Sequence, residues 1–208
     1  MTIPGIRGEH YLSPEIPDGL PWLDLPVVDL SDPRVEGLAV AVAGDPHRFE
    51  VPVVPWPGDG RRELDPGTGV GGGVIEGAFR CAWVDGRLVA VNEAVGGRYV
   101  IGLGAGEGGV ALWHVNHHPD GGQLFAALDG RPFLVPAIPP GPDPDLDRAV
   151  AIRSDGSVGV CLLPGVWHDG VYPASGDGEY LTRQGRVHAR VSCDVAAEFG
   201  VLLRIPLG

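Results

Sequence analysis

Short runs of apolar residues, many alternating with polar ones, recur along the whole chain. They fall at residues 38–43, 49–54, 74–83, 87–92, 98–103, 110–116, 123–128, 132–138, 157–163, 187–193 and 199–205. Period-two alternation puts every second side chain on one face of a strand, and a continuous apolar run suits a strand buried on both faces. Turn dipeptides separate several of these runs: Asp85-Gly86, Asp120-Gly121, Asp129-Gly130, Asp155-Gly156 and Asp177-Gly178. Both residues of Asp-Gly tolerate the positive φ of a type I′ turn, so each pair predicts a hairpin. Eleven closely spaced strands predict an all-β sandwich or barrel.

Only residues 144–152, with Leu146, Ala149 and Val150 on one side, pattern as a helix, and a short one. The first ~35 residues, rich in proline and acidic groups with Trp22 and Leu25 as anchors, read as an arm wrapped on the barrel or on a partner subunit. Residues 136–144 form a proline-stiffened connector. The expected organisation is one domain over residues 1–208. It comprises the arm (1–35), additional strands forming a layer of their own (36–105) and a ligand-bearing barrel (106–208).

Composition narrows the function. The 34 glycines and 21 prolines follow no Gly-X-Y period, so they punctuate turns. A net charge of −12 argues against nucleic acid and anionic membrane as partners, because phosphate binding needs clustered basic side chains. No stretch is apolar enough for a transmembrane helix and the start lacks a signal-peptide pattern, which predicts a cytoplasmic protein. Cys81, Cys161 and Cys193 are odd in number and without a C-x-x-C pair, as expected of reduced thiols. The chain contains no lysine, and all 15 basic side chains are arginine. Schiff-base catalysis by a side-chain amine is thereby excluded.

Residues 67–72 match G-x-G-x-x-G but follow Asp65-Pro66 and not a strand. They predict a flexible loop and no nucleotide cofactor. No G-x-S-x-G or Ser-His-Asp order supports triad hydrolysis. The informative cluster is His114, Asn116, His117 and His118, then Gln123 after a turn, then His168 behind Pro164-Gly165. On a strand His114, Asn116 and His118 share one face, and His117 takes the other with Trp113 and Val115. Imidazole and amide oxygen both suit a divalent first-row metal, which makes His118, Gln123 and His168 the candidate metal ligands. His114, His117 and Asp169 are candidate proton carriers, since imidazole titrates near neutrality. Asn116, Trp167 and one of the arginines Arg80 and Arg98 are candidates to contact a substrate carboxylate.

At these residues the chain resembles the cupin superfamily. Asn116-x-His118-x4-Gln123-x6-Gly130 is similar to the first cupin motif, with Asn for the usual first His and Gln for the usual Glu. Pro164-Gly165-x2-His168 is similar to the second. Within the superfamily the resemblance is to the ureidoglycolate lyase family, over about residues 110–195. It rests on His117-His118-Pro119, Gly122-Gln123, the Asp129-Gly130-Arg131-Pro132 turn, Val166-Trp167-His168 and Ser192-Cys193-Asp194. The family's usual acidic residue is replaced by Asn116, its Asn by Cys161, and a second His by Asp169. The resemblance implies a cupin-like jelly-roll barrel, commonly a homodimer, that splits ureidoglycolate into glyoxylate and urea. It also implies a divalent metal such as nickel, zinc or manganese, and a small carboxylate substrate. Other readings of the same pocket are a cupin isomerase, dehydratase or oxygenase acting on another small carboxylate, and a non-catalytic binder.

Overall fold

The computed structural model describes residues 18–55, 62–65, 73–106, 108–185 and 190–207. The glycine-rich stretch 67–72, the start of the arm and residues 187–189 lie outside the described residues. The architecture is all-β, as the alternation predicts, and cupin-like. One ten-stranded sheet runs, in spatial order, β1 (Trp22–Asp24), β16 (Leu202–Pro206), β7 (Gly109–Leu112), β6 (Gly97–Gly104), β5 (Arg87–Asn92), β4 (Val74–Val84), β14 (Gly178–Gly185), β9 (Gln123–Ala127), β12 (Gly159–Leu162) and β3 (Ala39–Val42). Beside it are a four-stranded sheet, β13 (Tyr172–Pro173), β10 (Phe133–Ala137), β11 (Val150–Ser154) and β2 (Val27–Asp29), and the two-stranded pair β15 (Val191–Asp194) and β8 (His114–His117).

Turn chemistry sets the hairpins. Asp85 and Gly86 both adopt positive φ, at 50° and 74°, and join β4 to β5. The core fills with inward-facing aromatic and branched side chains. Phe79 meets Phe125 edge-on at 5.7 Å, and Phe133 meets Tyr180 at 5.4 Å, the tilted geometry that aromatic quadrupoles favour. A second, smaller cluster lies on the other side of β9, β12 and β14, where Val42 and Val51 cover Leu124, Ala126, Cys161 and Leu181. These strands are therefore buried on both faces. Cys161 belongs to this outer cluster, and burial pushes its thiol up to about 12, as befits a small apolar filler.

Four features differ from the sequence pattern. Residues 144–152 are not a helix: Leu146–Arg148 make one 3-10 turn and Val150–Ser154 form β11. Ala149, Val150, Ala151 and Ile152 are all buried, a run that a strand sandwiched between β10 and β2 can bury and a one-sided helix cannot. Residues 49–54 make only a bridge from Val53 to Gly121, because Pro52 has no N–H for a ladder. Residues 110–116 break at Trp113, whose carbonyl accepts from the N–H groups of Val195 and Ala196 in the short helix α1 (Val195–Phe199). There the chain leaves the large sheet, where β7 pairs with β16, and joins β15 as β8. The strands of residues 36–105 form no separate layer. They share the ten-stranded sheet with β14, β9 and β12.

The arm is built in more firmly than its composition suggested. Its β1 pairs in parallel with β16 and its β2 with β11, and both Leu25 and Val28 are buried in the core. Among the described residues no helix is long and apolar enough to cross a membrane.

Candidate active site

Two backbone clamps assemble the site. Asn116 on β8 and His168 exchange both hydrogen bonds, at 2.6 and 2.7 Å, and Trp167 and Ile138 do the same at 2.8 and 3.0 Å. The Pro164-Gly165 turn makes this possible, with Gly165 at φ +80° and its N–H donating to the His118 carbonyl at 2.8 Å. His168 is thereby brought beside His118, the two rings 5.3 Å apart between centroids. Both are buried.

His168 has the most fully defined polar contacts in the cluster. Its Nδ1 lies 2.7 Å from the Val166 carbonyl and its Nε2 lies 2.9 Å from Gln123 Oε1. Burial, the largest influence, lowers its pKa to about 4, although the Val166 carbonyl works in the opposite direction. The ring is thus neutral near pH 7. Nδ1–H donates to Val166, so Nε2 keeps its lone pair and aims it at the Gln123 carboxamide. Gln123 also reaches Thr182 Oγ1 on β14, 3.2 Å from its Nε2. A half-turn of the carboxamide, which keeps its shape, presents N–H to His168 and takes the Thr182 hydroxyl proton on oxygen.

The same donors suit a divalent first-row ion. The carbonyl partner on Nδ1 fixes the ring tautomer and orientation that a metal-binding imidazole needs. Among the described residues no group of three or more His, Cys, Asp or Glu could hold a metal. Such an ion would therefore rest on two imidazoles and an amide, all neutral, leaving its charge for an anionic substrate.

His114 and Asn116 face the same side of β8, both buried. His114 Nδ1 lies 3.7 Å from Asp169 Oδ1. Asp169 Oδ2 is 2.6 Å from the hydroxyl of Tyr172, a fully buried side chain whose oxygen also lies 2.7 Å from the Ile101 carbonyl. Asp169 is therefore an inward carboxyl and not part of an exposed turn.

Four of the residues singled out from the sequence do not join this cluster. His117 sits on the opposite face of β8, packed against Trp167 with ring centroids 4.1 Å apart and the planes tilted by 42°. Burial first, then His168 and Arg62, lowers its pKa to about 4, and its buried Nδ1 has no hydrogen-bond partner. Trp167 alternates with His168 and points away from it, donating from Nε1 to the Gly141 carbonyl at 3.1 Å, with the Arg62 guanidinium 5.6 Å from its ring centroid. Arg80 is on the outer face of β4, held between Glu93 and Glu179. Arg98 is exposed on β6.

The structure adds residues that the apolar pattern did not reveal. Thr182 and Gln184, both buried, alternate with Leu181 and Arg183 along β14, and Gln184 lies directly opposite Gln123. The period-two pairing of Thr and Gln in Leu181-Thr182-Arg183-Gln184 was the available signal. Arg62, far off in sequence, caps the reverse side through Asp143 and Glu198.

Comparison with known proteins places the same residues in one frame. The ureidoglycolate lyase profile matches residues 83–199, more than half of the chain and the whole of this cluster. A ureidoglycolate lyase of Azotobacter vinelandii is 36% identical over 80 residues, 38% of this chain and 48% of that protein. One of Stutzerimonas stutzeri is 40% identical over 67 residues, 32% of this chain and 39% of that protein. The chain thus matches less than half the length of these curated relatives. With its His, Gln and His held in a buried cluster of an all-β fold, and with that profile spanning them, the chain belongs to the ureidoglycolate lyase family.

Proposed function

We propose that the protein is a lyase that splits the C–N bond of ureidoglycolate, or of a closely related α-hydroxy acid, giving glyoxylate or a related keto acid and urea or an amine. The supporting observation is the buried convergence of His118, Gln123 and His168 beside the His114–Asp169 pair. In the substrate one carbon carries a hydroxyl and the ureido nitrogen. His114, backed by Asp169, takes the hydroxyl proton; the C–O bond becomes a carbonyl as the C–N bond breaks; the same proton passes to the departing nitrogen. His118 and His168 orient the hydroxyl and carboxylate, and the dry wall around them strengthens each contact.

His118, Gln123 and His168 are also the residues that would hold a divalent ion. Lewis-acid charge at the developing alkoxide is the chemistry such an ion supplies when bound. The curated relatives carry the name ureidoglycolate lyase, which supports the reading. Glyoxylate release from ureidoglycolate by the purified chain tests it directly. His118→Ala is expected to abolish that release, and full activity in this variant would sink the assignment.

A further inference from the structure

The barrel interior holds a buried carboxamide that the mechanism above does not use. Gln184 is 4% exposed, and its carboxamide makes no side-chain hydrogen bond with a described residue. Its register partners are Gln123 on β9 and Ile75 on β4. It shares the interior face of β14 with Thr182, whose hydroxyl already meets Gln123. Just along that wall the backbone at Ala94 leaves no room for a Cβ on Gly77, the partner of Thr182. The turn after β5 thus closes one flank, and the half-buried Ile75 lies beside Gln184. Directly opposed side chains on adjacent strands sit ~5 Å apart. Gln184, opposite Gln123 and with its carboxamide not engaged by another side chain, is therefore placed to serve a ligand lying against Gln123.

The geometry points to Gln184 as the residue that binds the ureido group of the substrate, an inference that rests on the function proposed above. A carboxamide presents one donor edge and one acceptor oxygen. Urea and its N-substituted forms present N–H beside C=O, so the two pair in a neutral, two-bond ring. A carboxylate offers only acceptors, so it pairs with the N–H edge alone and makes one bond where the ureido group makes two. The subsite thus sorts the two ends of the substrate, sending the ureido end to β14 and the carboxylate end to the histidines.

The experiment measures turnover of ureidoglycolate together with inhibition by each product, in the wild-type chain and in Gln184→Met and Gln184→Glu. Two lost hydrogen bonds predict a fall in kcat/KM of about tenfold to a hundredfold. The inhibition constant for urea rises by at least tenfold, while that for glyoxylate stays within about twofold. Equal weakening of both products, or of neither, in variants with unchanged melting temperature overturns the subsite. A wild-type chain that turns over no ureidoglycolate overturns the functional reading alone. The subsite is then decided by urea-induced thermal stabilisation of the wild type that Gln184→Met abolishes. Absence of that stabilisation in the wild type overturns the subsite as well.

Discussion

His117 and His168 are alike in the direction and extent of their titration shift, yet one is fully buried and the other partly exposed, and their contacts differ. Each has its pKa lowered to about 4, with burial as the largest cause. His168 has both ring nitrogens in defined contacts and aims one lone pair at Gln123. His117 packs tilted against Trp167, with a buried Nδ1 that has no hydrogen-bond partner among the described residues. A lowered pKa therefore reports the loss of water, and only the direction of the hydrogen bonds separates an imidazole with an available lone pair from a packed one.

The largest test of that contrast is catalytic. His168→Ala is expected to lower glyoxylate release by about a thousandfold, whereas His117→Phe, which keeps the packing on Trp167, should stay within a fewfold of wild type. Comparable losses in both variants would erase the distinction.

The next test is acid stability, where the two histidines should act together. A histidine whose folded pKa lies below its unfolded value of 6.5 adds its full contribution above pH 6.5 and loses it as the pH falls toward about 4. For His168 that shift corresponds to roughly 3 kcal/mol at most. Denaturant melts between pH 7 and pH 4.5 should show stability falling across this window, and His117→Phe should make the fall shallower without touching activity. An unchanged slope in that variant would mean that His117 titrates normally.

On the His117 side of β8, Arg62→Ala should destabilise the chain by about 2 kcal/mol, since it strips two ion pairs from a mostly buried guanidinium. Arg62 also holds the Glu198 carboxyl below its usual range. A folded pKa below the unfolded one contributes stability at neutral pH that is lost in acid, so the deficit of Arg62→Ala should shrink as the pH drops through 4.

The smallest expected effect is on the inner side. Tyr172→Phe deletes the hydroxyl between Asp169 and the Ile101 carbonyl, at about 1 kcal/mol of stability. If Asp169 works through His114, the variant also displaces the pH profile of kcat; an unmoved profile assigns Tyr172 to packing alone.

Legibility in the sequence followed the range of the interactions involved. Asp85-Gly86 identified its hairpin because positive φ is a property of two adjacent residues. The alternation in β8 separated His114 and Asn116 from His117 because a strand's side chains point by parity. The helix expected at residues 144–152 misled because its apolar positions fit one helical face and, equally, a strand buried on both faces. β14 left no apolar signature. Its inner face carries Thr182 and Gln184, and its outer face carries Leu181 and Arg183 beneath residues 42–51. Alternation of apolar with polar residues marks a strand with one wet face, and β14 has none.

The sequence by itself determined that this chain is all-β, that Asp-Gly turns divide it, and that His118, Gln123 and His168 belong to one cupin-like set. Those facts lie in local backbone preference and in a motif with fixed spacing. Only the tertiary structure decided that His168 reaches Gln123 across 45 residues and that Gln123 meets Thr182 across 59. It also decided that Arg80 is held by Glu93 and Glu179 at the surface. Such partners are chosen by strand register and by which face of a sheet is closed off from water, and neither is a property of neighbouring residues.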